Sequence, residues 1–292
     1  MQRRFKNWLK SSTRIGLAGL CASALLATST PVVKADLFDS FDTAIDTIAT
    51  GFDFIWPEYL ELKDFNVRLG FGLGSMPDYL GSNNYRFLVV PLIDVRYKNL
   101  IAMQGTKIRY NFLRHKNFRA GPLVNLLFGR NESRNDILTG LGSISDTFQV
   151  GAFVEGNFPS GFIFSADIRK ALGAGQGTTV RLVLAQGIYK SDKMMLAVVG
   201  WFDWGSGRHN QTNFGISASQ AANSTLQGYA AGAGLNNFGI NLVARQTLSD
   251  RWRVESIVGY GRILGDASDS PLVAGAGSSH QGLAGVGLRY SF

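Results

Sequence analysis

The chain is poor in the residues that build disulfides, metal sites and catalytic centres. It has one cysteine, Cys21, and three histidines, His115, His209 and His280, in 292 residues. A lone cysteine excludes a disulfide framework and a thiolate zinc site. No pair of histidines has the short spacing of a metal-binding helix or loop, so no cofactor or metal is expected. After residue 35 no uncharged apolar run reaches the roughly 18 residues that a membrane-spanning helix needs. Acids are also missing from one place, the first 35 positions.

That last gap has a meaning. Arg3, Arg4, Lys6, Lys10 and Arg14 precede the apolar run Ile15–Ala27, and Val33-Lys34-Ala35 ends on a small residue. This is the tripartite pattern of a secretory signal, expected to be cleaved after Ala35 to leave Asp36–Phe292. Cys21 falls inside it, and Leu20 is too large for a lipoprotein cleavage box. Six of the 29 basic residues lie in this leader, leaving 23 against 21 acids and a net charge near +2 instead of +8. The overall basicity is therefore no sign of a nucleic-acid partner.

What remains is rich in alternation. Counting back by twos from Phe292 gives Tyr290, Leu288, Val286 and Ala284, all apolar. The other row is Ser291, Arg289, Gly287 and Gly285, with Leu283 the exception. Apolar groups on one side and small or charged groups on the other mark a membrane-spanning barrel strand. An aromatic carboxy terminus on such a strand resembles the signal read by the outer-membrane barrel-insertion machinery, with Leu288, Tyr290 and Phe292 as its residues.

The same dyad recurs over Phe65–Gly74, Phe87–Tyr97, Leu100–Tyr110, Phe118–Arg130, Phe148–Phe158, Phe162–Leu172, Val180–Tyr189, Met194–Trp204, Ile240–Leu248 and Trp252–Tyr260. Mid-strand charges such as Arg68, Arg96, Arg109, Glu155, Asp167, Arg181 and Arg245 fall opposite the apolar row. A lipid-facing Arg or Lys near the bilayer midplane costs about 2–4 kcal/mol, so this parity decides for a barrel over a soluble sandwich, which also alternates. The expected fold is all-β, an antiparallel transmembrane β-barrel of about 10–12 strands over 63–292 in contact with outer-membrane lipid. A weak strand at Leu226–Leu235 makes the count even. It also sends the long segments Asn131–Asp146 and Gly205–Thr225 to the end where short turns are expected, so one assignment in mid-chain conflicts with the rest.

Before the barrel, over 36–62, Phe41, Ile45, Ile48 and Phe52 recur at helical spacing among Asp39, Asp42 and Asp46. The pattern predicts a short amphipathic helix, lying on the rim, entering the lumen or docking a periplasmic partner. No histidine stands at recognisable spacing from a serine and an acid, and all three read as solvated loop residues. Gly70–Gly74 and Gly173–Gly177 lack the strand–turn–helix setting and lysine of a phosphate loop. Alternate glycines in a narrow barrel make room, and clustered ones turn corners.

The loops carry a resemblance. Pro77-Asp-Tyr79-Leu-Gly81-Ser82, Gly121-Pro122, Gly129-Arg130, Leu138-Thr-Gly140-Leu141, Phe214-Gly-Ile-Ser217 with Gln220-Ala221 and Ser224, Tyr229–Leu235 and Arg262–Val273 stand in the order of the MipA/OmpV family of outer-membrane proteins. Two positions depart from its pattern: Thr225 replaces a glycine, and no tyrosine follows Trp204 closely. The resemblance implies a non-enzymatic outer-membrane protein. The family's namesake looks like a scaffold that joins a murein-cleaving lytic transglycosylase to a murein-synthesising penicillin-binding protein, which the resemblance makes the expected role and partners here. Other members resemble surface antigens and adhesins, or small channels. Arg262, Asp266, Asp269, Ser270 and Pro271, in the most specific of these blocks, are the candidate interaction loop.

Overall fold

The computed structural model describes residues 65–292. The expected leader, the 36–62 helix and its residues Phe41, Ile45, Ile48 and Phe52 lie outside the described residues. Twelve antiparallel strands run in chain order. They are β1 (Phe65–Pro77), β2 (Tyr85–Tyr97), β3 (Ile101–Gln104) and β4, which runs in two parts, Lys107–Tyr110 and Leu113–His115. Next come β5 (Phe118–Leu127), β6 (Thr147–Asn157), β7 (Phe162–Ala171) and β8 (Thr178–Lys190). The last four are β9 (Met194–Gly205), β10 (Gly234–Thr247), β11 (Trp252–Ile263) and β12 (His280–Ser291).

Each strand pairs with its sequence neighbours, and β12 returns to β1 with Tyr290 opposite Leu69 and Leu288 opposite Phe71. The barrel is closed, which is how a sheet satisfies its backbone in lipid. The terminal strand is thus the closing strand. Its final amide, on Phe292, donates to the Val67 carbonyl at 3.0 Å.

The parity expected from the sequence holds. Arg68, Asp94, Arg96, Glu155, Asp167, Arg181, Arg245, Glu255 and Arg289 point inward and are buried. Phe71, Val89, Phe148, Ile168, Ile240, Val258 and Val286 point outward and are exposed, as lipid-facing side chains must be. Aromatic rings gather at the end that holds Phe292. Tyr290 packs edge-on against both Trp252 and Phe292 at 4.9 Å, and Phe65 lies beside Tyr97.

Two strand assignments are corrected. Leu100–Tyr110 is not one strand but the hairpin β3–β4, turning at Gly105 and Thr106 with Gln104 opposite Lys107. Gly105 takes φ +53°, a region open to glycine. The lipid-facing row shifts from the odd positions Ile101 and Met103 to the even positions Ile108 and Tyr110 across that turn. Leu226–Leu235 is not a strand; only Gly234 and Leu235 enter β10, and Tyr229 makes an isolated bridge to Ile216. With the hairpin counted, the long connections 78–84, 128–146, 206–233 and 264–279 all leave the end opposite Phe292. The conflict over loop sidedness disappears.

The hairpin also leaves the wall uneven. Gly105 donates to Ile93, and above that point β2 has no strand on its far side among the described residues. Pro91, with no amide hydrogen to leave unpaired, sits on that free edge. The break in β4 at Asn111 and Phe112 lies against Gly121, where a Cβ would collide with the Tyr110 carbonyl. That is the local reason for the glycine of the Gly121-Pro122 pair.

Candidate functional site

Inside the barrel, glycines on one strand receive a large side chain from the next. The Trp201 ring on β9 lies on Gly239 of β10, where a Cβ would strike it, and reaches Gly261 of β11. Leu92 on β2 crosses Gly72 of β1 to Gly287 of β12, and Ile257 covers Gly285. These chains join Leu88, Val90, Val183, Val199 and Val243 in an apolar lining, against which the exceptional Leu283 packs.

The rest of the wall is charged and paired. Asp94 takes Arg68 at 2.8 Å and Arg96 at 3.0 Å, and Glu255 takes Arg289 at 3.1 Å and Arg245 at 3.4 Å. Glu155 holds Arg109 at 2.8 Å and also Arg119. Asp167 holds Arg169 at 2.8 Å and Lys107 at 3.7 Å, and Asp203 holds Arg181 at 2.6 Å. Nine cations share five carboxylates, so the lumen keeps a positive excess.

The long connections fold over the outer mouth as a lid with its own core. Tyr79, Leu138, Leu141, Phe214, Ile216, Ala231, Ile263, Ala267, Leu272 and Val273 are buried together. They come from five separate stretches of chain, which are the stretches that carry the family resemblance. Short helices brace them: α1 (Gly207–Phe214), α2 (Ala218–Asn223) and α3 (Gly265–Asp269). Ser217 and Gln220 form a reciprocal capping box on α2, and the Gln220 amide also reaches the Leu141 carbonyl. Gly140, at φ +87°, lets the Asn223 carbonyl come into contact with its α-carbon, an approach no side chain would permit.

The candidate interaction residues fall at different depths of this lid. Ser270 is fully buried and donates to the Phe214 carbonyl at 2.6 Å. Asp266 accepts from the Gly232 amide at 2.7 Å, while its carbonyl accepts from the Tyr229 hydroxyl at 2.8 Å. Pro271 opens the turn Pro271–Gly275. Asp269 is exposed, and Arg262 lies at the edge of the space below. At the other end, Leu288, Tyr290 and Phe292 share the lipid-facing row, and Arg251 donates to the Tyr290 hydroxyl at 2.9 Å.

Between lid and lumen lies a chamber of about 210 Å³. Arg130, Arg134, Arg169, Arg181, His209, Asn213, Trp201, Phe214 and Ile263 line it. His209 is a correction to the sequence reading, because it stands on α1, half-buried at the chamber wall, and not in a solvated loop. Burial lowers its pKa to about 4, assisted by Arg169 and opposed by Asp203, so the ring is neutral at pH 7. Arg130 is pushed down to about 10 by burial, with Tyr79 opposing and Arg134 assisting, and it donates to the Asn213 carbonyl at 3.1 Å. The signal for His209 was available: Ser206 caps α1 by accepting from the His209 amide. Of the other histidines, His280 meets the Tyr260 hydroxyl at 2.6 Å on the outer rim and His115 is exposed. A second cavity, about 580 Å³, opens at the opposite end among His115, Lys116, Phe158 and Lys190.

A closed antiparallel barrel with an apolar, aromatic-rimmed exterior and a charged lumen is an outer-membrane-type β-barrel. A model of the family described as MltA-interacting protein MipA matches residues 69–292, and the chain belongs to that family. No curated protein sequence matches it at a significant level. Among solved structures, the KdgM porin is 10% identical over 77% of this chain and 99% of its own, with a TM-score of 0.43. The COG4313 outer membrane channel from Pseudomonas putida F1 is 10% identical over 81% and 99%, at 0.42. The translocator domain of autotransporter NalP from Neisseria meningitidis is 13% identical over 91% and 100%, also at 0.42. Similarity at this level is between barrels, not between sites.

Proposed function

We propose that this protein is a non-enzymatic scaffold of the outer membrane that holds a murein-cleaving lytic transglycosylase and a murein-synthesising penicillin-binding protein together. The family's description as an MltA-interacting protein supports the reading. The geometric observation that carries it is the lid. A mouth closed by a packed core and a lumen crossed by buried ion pairs leave surfaces, not a standing path, for the barrel to offer. In an even-stranded barrel with periplasmic termini, the short turns face the periplasm. Those turns carry Lys98, Lys116, Lys193 and Arg251 against Asp192 and Asp250, a basic rim suited to an acidic enzyme face.

The test is co-purification of the two enzymes from outer membranes on the tagged barrel, beside a variant carrying Lys116→Glu, Lys193→Glu and Arg251→Glu. Recovery should fall at least several-fold in the variant, and equal recovery of both enzymes would refute a scaffold that works through this rim. Planar bilayers containing the intact protein should stay electrically silent.

A further inference from the structure

The geometry points to a ligand site in the chamber beneath the lid, built for a single-ring carboxylate such as a hexuronic acid. It is independent of whatever docks at the periplasmic rim.

The charge of the chamber is one-sided. Arg130, Arg134, Arg169 and Arg181 border it with one carboxylate, Asp203. That carboxylate is engaged: Arg181 binds it through Nε and Nη2 at 2.6 and 2.8 Å, and the Asn237 amide donates to it at 3.0 Å. Asp167 offsets Arg169 from lower in the lumen. The lining keeps a positive excess, and a planar guanidinium meets a carboxylate through two parallel hydrogen bonds. His209 adds no charge at neutral pH, and the chamber floor is partly apolar. A small organic anion therefore meets more guanidinium than carboxylate, and the one bordering acid, Asp203, is already held by Arg181 and Asn237.

The strand beside Arg181 supplies a platform, two residues below Asp203. Trp201 lies with its ring on Gly239 and Gly261, and its indole N–H is fixed to the Asn237 Oδ1 at 3.0 Å. Trp201 borders the chamber with the small part of its indole that these contacts leave uncovered, and the apolar face of a sugar ring can meet it there. Amide side chains line the same space. Asn213 donates to the Gln176 Oε1 at 2.9 Å and Asn236 donates to the Asn210 Oδ1 at 3.1 Å, while the buried Asn236 Oδ1 itself accepts no hydrogen bond and can take one from a ligand hydroxyl. Pockets for drug-sized ligands begin near 300 Å³, so about 210 Å³ takes one ring and not an oligomer. Guanidinium and amide groups beside an indole, in a small and otherwise largely apolar space, suit a sugar acid, which offers a carboxylate, hydroxyls and an apolar ring face, and do not suit a bare metal ion.

The experiment is calorimetric titration of the full chain, folded in detergent, with glucuronate, glucose and inorganic phosphate, alongside Arg130→Gln, Arg134→Gln and Trp201→Phe. Saturable glucuronate binding is expected, at least tenfold tighter than glucose. Arg130→Gln should weaken it at least tenfold, with Arg134→Gln read in its place if the first fails to fold. Trp201→Phe should weaken glucuronate more than phosphate. Folded protein that does not bind glucuronate saturably overturns the proposal. So does binding that both arginine variants leave unchanged, or phosphate binding as tight as glucuronate and indifferent to Trp201→Phe.

Discussion

The hydroxyl of Tyr79, in the first outer connection, donates to the main-chain carbonyl of Leu272, in the last, at 3.2 Å and across 193 positions of sequence. One bond therefore ties the two connections that flank the β12–β1 closure. Gln281 joins them again, accepting from the Gly81 amide at 3.2 Å and donating to the Ser82 carbonyl at 3.2 Å. The lid is latched where the barrel is closed.

Tyr79→Phe removes the hydroxyl and keeps the ring in the lid core. A net loss of about 1 kcal/mol is expected, confined to the lid. Limited proteolysis of intact cells should cut the outer connections several-fold faster, while the heat-induced gel shift of the folded barrel stays in place.

Gly140→Ala is expected to be more damaging. Its Cβ would meet the Asn223 carbonyl, and its φ of +87° is strained for any L side chain. The Leu138–Leu141 turn should leave the lid core. Rapid proteolysis between Asn131 and Asp146, with the barrel still folded, is the outcome to look for.

Glu155→Gln tests the lumen. The carboxylate is shared by Arg109 and Arg119, and removing one partner of a buried charge cluster costs about 3–5 kcal/mol. The variant should lose its heat-resistant gel form at a clearly lower temperature than the parent. In contrast, Val258→Arg on the exposed outer row of β11 should cost about 2–4 kcal/mol through lipid contact alone. Its penalty should shrink in short-chain detergent, where that of Glu155→Gln does not.

His209 gives the lid a pH dependence. Its pKa is about 4 when folded and about 6.5 when unfolded, so the unfolded lid binds more protons between those values. Stability is fully present above pH 6.5 and is lost as the pH falls towards 4, by on the order of 2–3 kcal/mol. Proteolytic opening of the outer connections should rise over that window, and His209→Gln should flatten the profile.

The barrel was legible in the sequence because lipid punishes a misplaced charge. Arg181 and Glu255 could stand on one parity only, and both lie in the lumen. The β3–β4 hairpin was hidden because a two-residue turn interrupts the alternation so briefly. The family blocks flagged Tyr79, Leu138, Phe214 and Leu272, yet nothing in a linear pattern says that residues from four connections share one core. The chamber followed from that convergence. Arg130 and Trp201 read singly as a loop base and an alternating strand aromatic, and only the fold sets them around one space.

The half-height hairpin has a consequence for the bilayer. A 13-residue strand such as β2 spans about 43 Å at 3.3 Å per residue, while the four residues of β3 reach about 13 Å. Among the described residues, the wall along that one sector is shorter than the roughly 30 Å of hydrocarbon around it. Lipids beside a wall of that height tilt or shorten, so local membrane thinning is expected along this seam of the described residues. The barrel's orientation among neighbours in the membrane is then set by lipid packing as well as by protein contacts.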